Sequence, residues 1–147
     1  MRISRLLVAT VASLALVTAA CGSGSSGSSS AIRSVAVEMR DNAFSPNQVT
    51  VHAGEKVRFV FHNAGHLAHE ALLGDMAAQD SHETEMMSGG TGGTQMGMDH
   101  GASTAITVEP GKSATLTHTF QAGDKLLIGC HETGHYAAGM KLMIDVA

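Results

Sequence analysis

Between Cys130 and Met140 the chain reads CHETGHYAAGM, which sets a thiol, an imidazole and a thioether at C-x4-H-x4-M spacing. A histidine from an earlier strand would complete a set of two imidazoles, one thiolate and a weak axial thioether. Copper favours that soft, nitrogen- and sulfur-rich set, because thiolate and thioether suit Cu(I) and imidazole suits both oxidation states. The spacing therefore points to a metal centre in which Cys130, His135 and Met140 lie on one short loop.

Other chemistries fit these residues less well. Structural zinc usually closes with four strong nitrogen or sulfur donors and seldom uses methionine. A hydrolase with Cys130 as nucleophile and His135 as base would need an orienting acid and an oxyanion donor that the sequence does not display, and would leave Met140 without a role. A non-catalytic structural sandwich would leave the Cys, His and Met pattern without a purpose. The chain is read as a binding protein, not an enzyme, with a Cys/His zinc site or a structural sandwich as the alternatives.

Composition narrows the partners. Aromatic residues make up 3% of the 147, tryptophan is absent and the formal charge is −4. A nucleic-acid partner is not expected, since neither stacking platforms nor a cationic surface for phosphates is present. With 44% hydrophobic residues, the length suits one domain with appendages.

Those appendages are at the N-terminus. Arg2 and Arg5 precede the apolar run Leu6 to Val17, and Thr18, Ala19 and Ala20 lead into Cys21. This resembles a bacterial lipoprotein signal over residues 1–20, with Thr18 where such signals usually have Leu. Cys21 would then be the lipidated N-terminus, whereas a plain secretory peptide would be cleaved nearby without lipidation. Loss of Arg2 and Arg5 takes the formal charge from −4 to −6. The Gly/Ser-rich residues 21–30 read as a flexible tether, holding residues 31–147 on the outer face of the cytoplasmic membrane, in the cell envelope or periplasm. If lipid occupies Cys21, Cys130 has no disulfide partner in the chain, and a lone thiol outside the cytoplasm calls for another use.

The elements that must position the loop follow a period of two. Val35 and Val37 alternate with Ala36 and Glu38, Val49 and Val51 with Thr50 and His52, and Val57, Phe59 and Phe61 with Arg58, Val60 and His62. Further strands are expected near Leu67–Leu73, Thr104–Val108, Ser113–Phe120, Lys125–Cys130 and Met140–Val146. Turn signals at Ser45-Pro46-Asn47, Ala53-Gly54-Glu55, Pro110-Gly111-Lys112 and Ala122-Gly123-Asp124 separate them. The pattern predicts an all-β Greek-key sandwich or barrel of seven to eight strands. Parity turns Met140 inward with Leu142 and Ile144, and Cys130 inward with Leu126 and Ile128. Gly134 and Gly139 permit the tight turns between them.

Residues 75–101 interrupt the pattern. Met76, Met86, Met87, Met96 and Met98 are interspersed with His82, His100, acidic residues and glycines, and this composition predicts a mobile loop whose thioethers could hold a second, exchangeable Cu(I). His52 and His62 take outward parity and His118 inward parity. His66 and His131, close in sequence to His69 and Cys130, are the competing imidazoles, and His69 is favoured because it shares a strand face with Ala71 and Leu73.

Taken together, FSPNQVTVHAGEKVRFVFHNAGHLAHEALLG from Phe44 to Gly74 and CHETGHYAAGM resemble the cupredoxin family, particularly its bacterial plastocyanin-like and auracyanin-like domains. The resemblance covers most of the chain beyond residue 34. It implies a mononuclear type 1-like copper site with His69 and His135 as imidazole ligands, Cys130 as thiolate and Met140 as axial thioether. It also implies electron transfer or copper handling as chaperone or scavenger, by a monomer serving a redox partner or a copper-client protein. Two departures bear on tuning: Glu70 follows the upstream histidine where many members have Asn, and Thr133 stands where the loop usually has Pro.

Overall fold

The alternation in KVRFVFHN (Lys56–Asn63) becomes a strand whose Val57, Phe59, Phe61 and Asn63 are buried while Lys56, Arg58 and His62 face solvent. In this computed structural model, which describes residues 32–89 and 104–147, nine strands and one helix form. The strands are β1 (Arg33–Arg40), β2 (Ala43–Ser45), β3 (Gln48–Val51), β4 (Lys56–Asn63), β5 (His69–Gly74), β6 (Thr104–Val108), β7 (Ser113–Thr119), β8 (Leu127–Gly129) and β9 (Lys141–Val146). Helix α1 spans Met76–Met87. The expected sandwich is present, with the three-residue β2 as an additional strand. Cys21 and residues 1–30 lie outside the described residues, as do Met96, Met98 and His100.

One sheet runs β2-β1-β4-β7 and the other β3-β9-β8-β5-β6. Strand β1 pairs parallel with β4, and β3 parallel with β9, so each sheet joins segments distant in sequence. Phe59 lies between Phe61 and Phe120, 6.3 Å from each by ring centroid. Burying each such side chain contributes about 1.5–3 kcal/mol.

Strand β5 departs from alternation because all six of its residues are buried. Ala71 and Leu73 join the core, whereas Glu70 and Leu72 turn to the opposite face, where α1 covers them. Residues 76–87 are therefore a helix and not the mobile loop expected from composition. Asp75 caps it by accepting from Ala78 N–H at 2.9 Å, and Gly89, at φ +86°, follows its C-terminus. Gln79 is its fully buried residue, so the helix is held by polar contacts and not by an apolar stripe.

Candidate metal centre

The antiparallel register Leu72↔Gly129 brings the start of β5 to the end of β8, and so His69 to Cys130. The Sγ of Cys130 stands 3.8 Å from Nδ1 of His69 and 3.5 Å from Nδ1 of His135. These three ligating atoms all lie within 4.8 Å of one another and all three residues are buried. Donors held about 2.0–2.3 Å from a shared ion in a trigonal plane stand roughly 3.5–4 Å apart. The donor chemistry and the spacing thus fit a single copper ion.

Met140 is also fully buried, in the same core cluster as Cys130. Its N–H donates to the His135 carbonyl at 3.0 Å, and its own carbonyl accepts from Cys130 N–H at 3.1 Å. The loop is thereby closed on itself. Gly134 and Gly139, at φ +82° and +93°, supply the left-handed turns within it.

The upstream histidine, His69, is fixed by a different device. Asn63 donates through Nδ2 to the carbonyls of Leu67 and Val108, each at 2.7 Å, and its Oδ1 accepts from Gly65 N–H at 2.9 Å. A Cβ on Gly65 would stand 2.8 Å from Asp41 Oδ1 and 3.0 Å from His69 Nε2, so glycine lets this loop close over the imidazole. The Glu70 N–H points to Cys130 Sγ at 3.4 Å, a geometry that stabilises charge on sulfur.

Burial governs protonation here. It pushes the Cys130 thiol up to about 11, so the free protein holds a protonated sulfur that an incoming ion must deprotonate. Burial, followed by the neighbouring His135, pushes His69 below the usual histidine value and favours the neutral imidazole that binds metal. The same desolvation raises Glu70 above the carboxylate range, opposed by His82 beside it.

The competing histidines are placed elsewhere. His66 is exposed, with its backbone N–H 3.3 Å from Asp41 Oδ1. His131 turns away from Cys130, with Nδ1 2.7 Å from Glu83 and Nε2 2.7 Å from Gln79. His52 and His62 are exposed, and His118 is half-buried with its ring edge-on to Phe120. Sequence reasoning missed the group around His131: Gln79, His82, Glu83 and Tyr136, whose ring stacks on His131 at 4.3 Å.

A family profile described as the cupredoxin-like domain matches residues 10–124. The chain belongs to the cupredoxin family. The profile match ends before the Cys130–Met140 loop of this cupredoxin. The copper-resistant cuproprotein CopI of Pseudomonas aeruginosa is 39% identical over 133 residues, covering 75% of this chain and 74% of the relative. The protein of that name from Rubrivivax gelatinosus is 35% identical over 109 residues, and this cupredoxin spans 74% of its own length and 62% of that relative's. Reduced auracyanin from Roseiflexus castenholzii shares the fold at a TM-score of 0.66, with 23% identity over 78% of this chain and 96% of that one.

Proposed function

We propose that this cupredoxin binds one copper ion through His69, Cys130 and His135, with Met140 as the axial donor, and acts in copper handling. The observation that carries this reading is the approach of two Nδ1 atoms to one buried thiol at 3.5 and 3.8 Å. Copper held there would supply a one-electron couple. The protein's own part is to fix the donors, keep water out and give up the thiol proton. Resemblance to proteins named copper-resistant cuproproteins supports handling over pure electron carriage. We further propose that the chain is exported, tethered through lipid on Cys21, monomeric and without catalytic turnover, and that it passes copper to or from a client protein.

One groove favours that role. Met86 and Met87 line a cavity of about 400 Å³ with Glu83, His131, Thr133 and Gly134, next to the ligand loop. Thioethers stay neutral and do not form disulfides, so they suit transient Cu(I) capture. Electron transfer is the second reading, favoured by the buried, closely spaced ligand set.

Adding Cu(II) to reduced protein should produce an intense visible thiolate-to-copper band that Cys130→Ser abolishes. An unchanged spectrum in Cys130→Ser would refute the ligand assignment. Cu(I) titration of the parent against Met86→Leu/Met87→Leu then separates the two roles. A second equivalent that vanishes with those thioethers supports handling, whereas one equivalent in both with fast reversible redox supports electron transfer.

A further inference from the structure

The residue next in sequence to each of the three close donors is tied, directly or through a neighbour, to helix α1. Glu70 follows His69, and both its carboxylate oxygens meet Nε2 of His82, at 3.0 and 2.9 Å. His131 follows Cys130, and its two ring nitrogens meet Gln79 and Glu83, each at 2.7 Å. Tyr136 follows His135, and its ring lies over His131 at 4.3 Å with an interplanar angle of 21°. In β5 and at the end of β8 the alternation that turns each ligand inward turns its neighbour to the face α1 covers.

Gln79, His82 and Glu83 stand at i, i+3 and i+4, which places them on one side of the helix. Gln79 Nε2 donates to the carbonyls of Leu72 in β5 and Leu127 in β8, at 3.0 and 3.1 Å. That orientation leaves Oε1 to accept from Nε2–H of His131, while the 2.7 Å contact of His131 Nδ1 with Glu83 Oε2 requires one further proton shared by that pair. The fit is close: a Cβ on Gly129 would come within 2.4 Å of Gln79 Oε1, 2.9 Å of Tyr136 and 3.0 Å of His131. A helix that merely shielded the sheet would do so with apolar side chains. This one presents an amide, an imidazole and a carboxylate to the residues beside the ligands.

Resting on the copper reading above, we infer that α1 is the positioning element of the metal centre, with Gln79, His82 and Glu83 fixing the separation of the His69 and Cys130–His135 segments before any ion arrives. Outer partners of this kind orient ligands and tune the bound metal. None of the three is a ligand. They act through Glu70 and His131.

The test compares the parent with His82→Ala/Glu83→Ala and with Glu83→Gln. In the metal-free proteins, the rate at which Cys130 reacts with a small aromatic disulfide reports loop opening, and we expect about tenfold acceleration in the double variant, since each lost tie is a partly buried polar contact. In the Cu(II)-loaded proteins, the thiolate-to-copper band should move in energy and intensity and the reduction potential should shift, with Glu83→Gln restoring most of the parent spectrum. A folded double variant with thiol reactivity within twofold of the parent and a superimposable copper spectrum would overturn the inference. If the double variant does not fold, Glu83→Ala against Glu83→Gln decides: a band shift in the first that the second reverses supports the inference, and no shift overturns it. If the parent shows no thiolate-to-copper band, the copper reading fails, and thiol reactivity in the metal-free proteins alone judges the positioning role.

Discussion

Cys130 Sγ and His69 Nδ1 come within 3.8 Å although they are 61 positions apart in the chain, because β8 and β5 pair antiparallel, so that β8 ends at the pole of the sandwich where β5 begins. Their protonation states set how copper enters. Burial holds the Cys130 proton until about 11, while burial and His135 keep His69 below the usual histidine value. At neutral pH, binding therefore displaces the thiol proton, with His69 already neutral. Apparent Cu(I) affinity, measured by chelator competition between pH 7 and pH 8, should rise about tenfold per pH unit. An affinity independent of pH would contradict a protonated buried thiol.

Metal-free stability carries the same signature with its own sign. A thiol whose folded value lies above the unfolded one, 9.0 raised to about 11, stabilises the native state fully below pH 9. That contribution is lost as pH rises from 9 towards 11, because the unfolded chain ionises first. The loss amounts to roughly 3 kcal/mol. Urea unfolding of the metal-free protein at pH 8 and pH 10.5 should show about 2 kcal/mol of this loss, and Cys130→Ala should decline by correspondingly less.

Met140→Leu keeps volume and apolarity in a fully buried position, so its cost in stability should stay below about 1.5 kcal/mol. The copper band should persist because Cys130 remains. Loss of an electron-pair donor from a dry site disfavours the higher charge of Cu(II), so the potential should rise. Voltammetry of parent and variant measures it, and an unchanged potential would remove Met140 from the ligand set.

Period-two patterning carried most of the fold. The parity of Phe59 and Phe61, of Leu142 and Ile144, and of Ile128 and Cys130 reads directly as inward faces, and local spacing placed His135 and Met140 near Cys130. Helix α1 was harder to read because its buried contacts are polar, so no apolar stripe marks it. Two signals were nevertheless present. Asp75 and Gly89 bracket a run of good helix formers, and HEALLG lacks polar alternation, as a strand covered on both faces does. The ties from Gln79, His82 and Glu83 to Glu70 and His131 depend on pairing across the fold, which no local pattern encodes.

Gly129→Ala probes the contact between β8 and α1. Gly129 does not have a positive φ, so the cost of a methyl group there is steric and not conformational. The new Cβ would stand 2.4 Å from Gln79 Oε1, and Gln79 cannot swing aside freely because its amide nitrogen is bound to the carbonyls of Leu72 and Leu127. Moving it leaves the Nε2–H of buried His131 without an acceptor, and moving the strand instead displaces Cys130 next to it. Either route should cost about 1–3 kcal/mol in urea unfolding. The second route should also shift the thiolate-to-copper band, whereas the first leaves the sulfur in place. A Gly129→Ala protein as stable as the parent would show that the helix does not press on this strand.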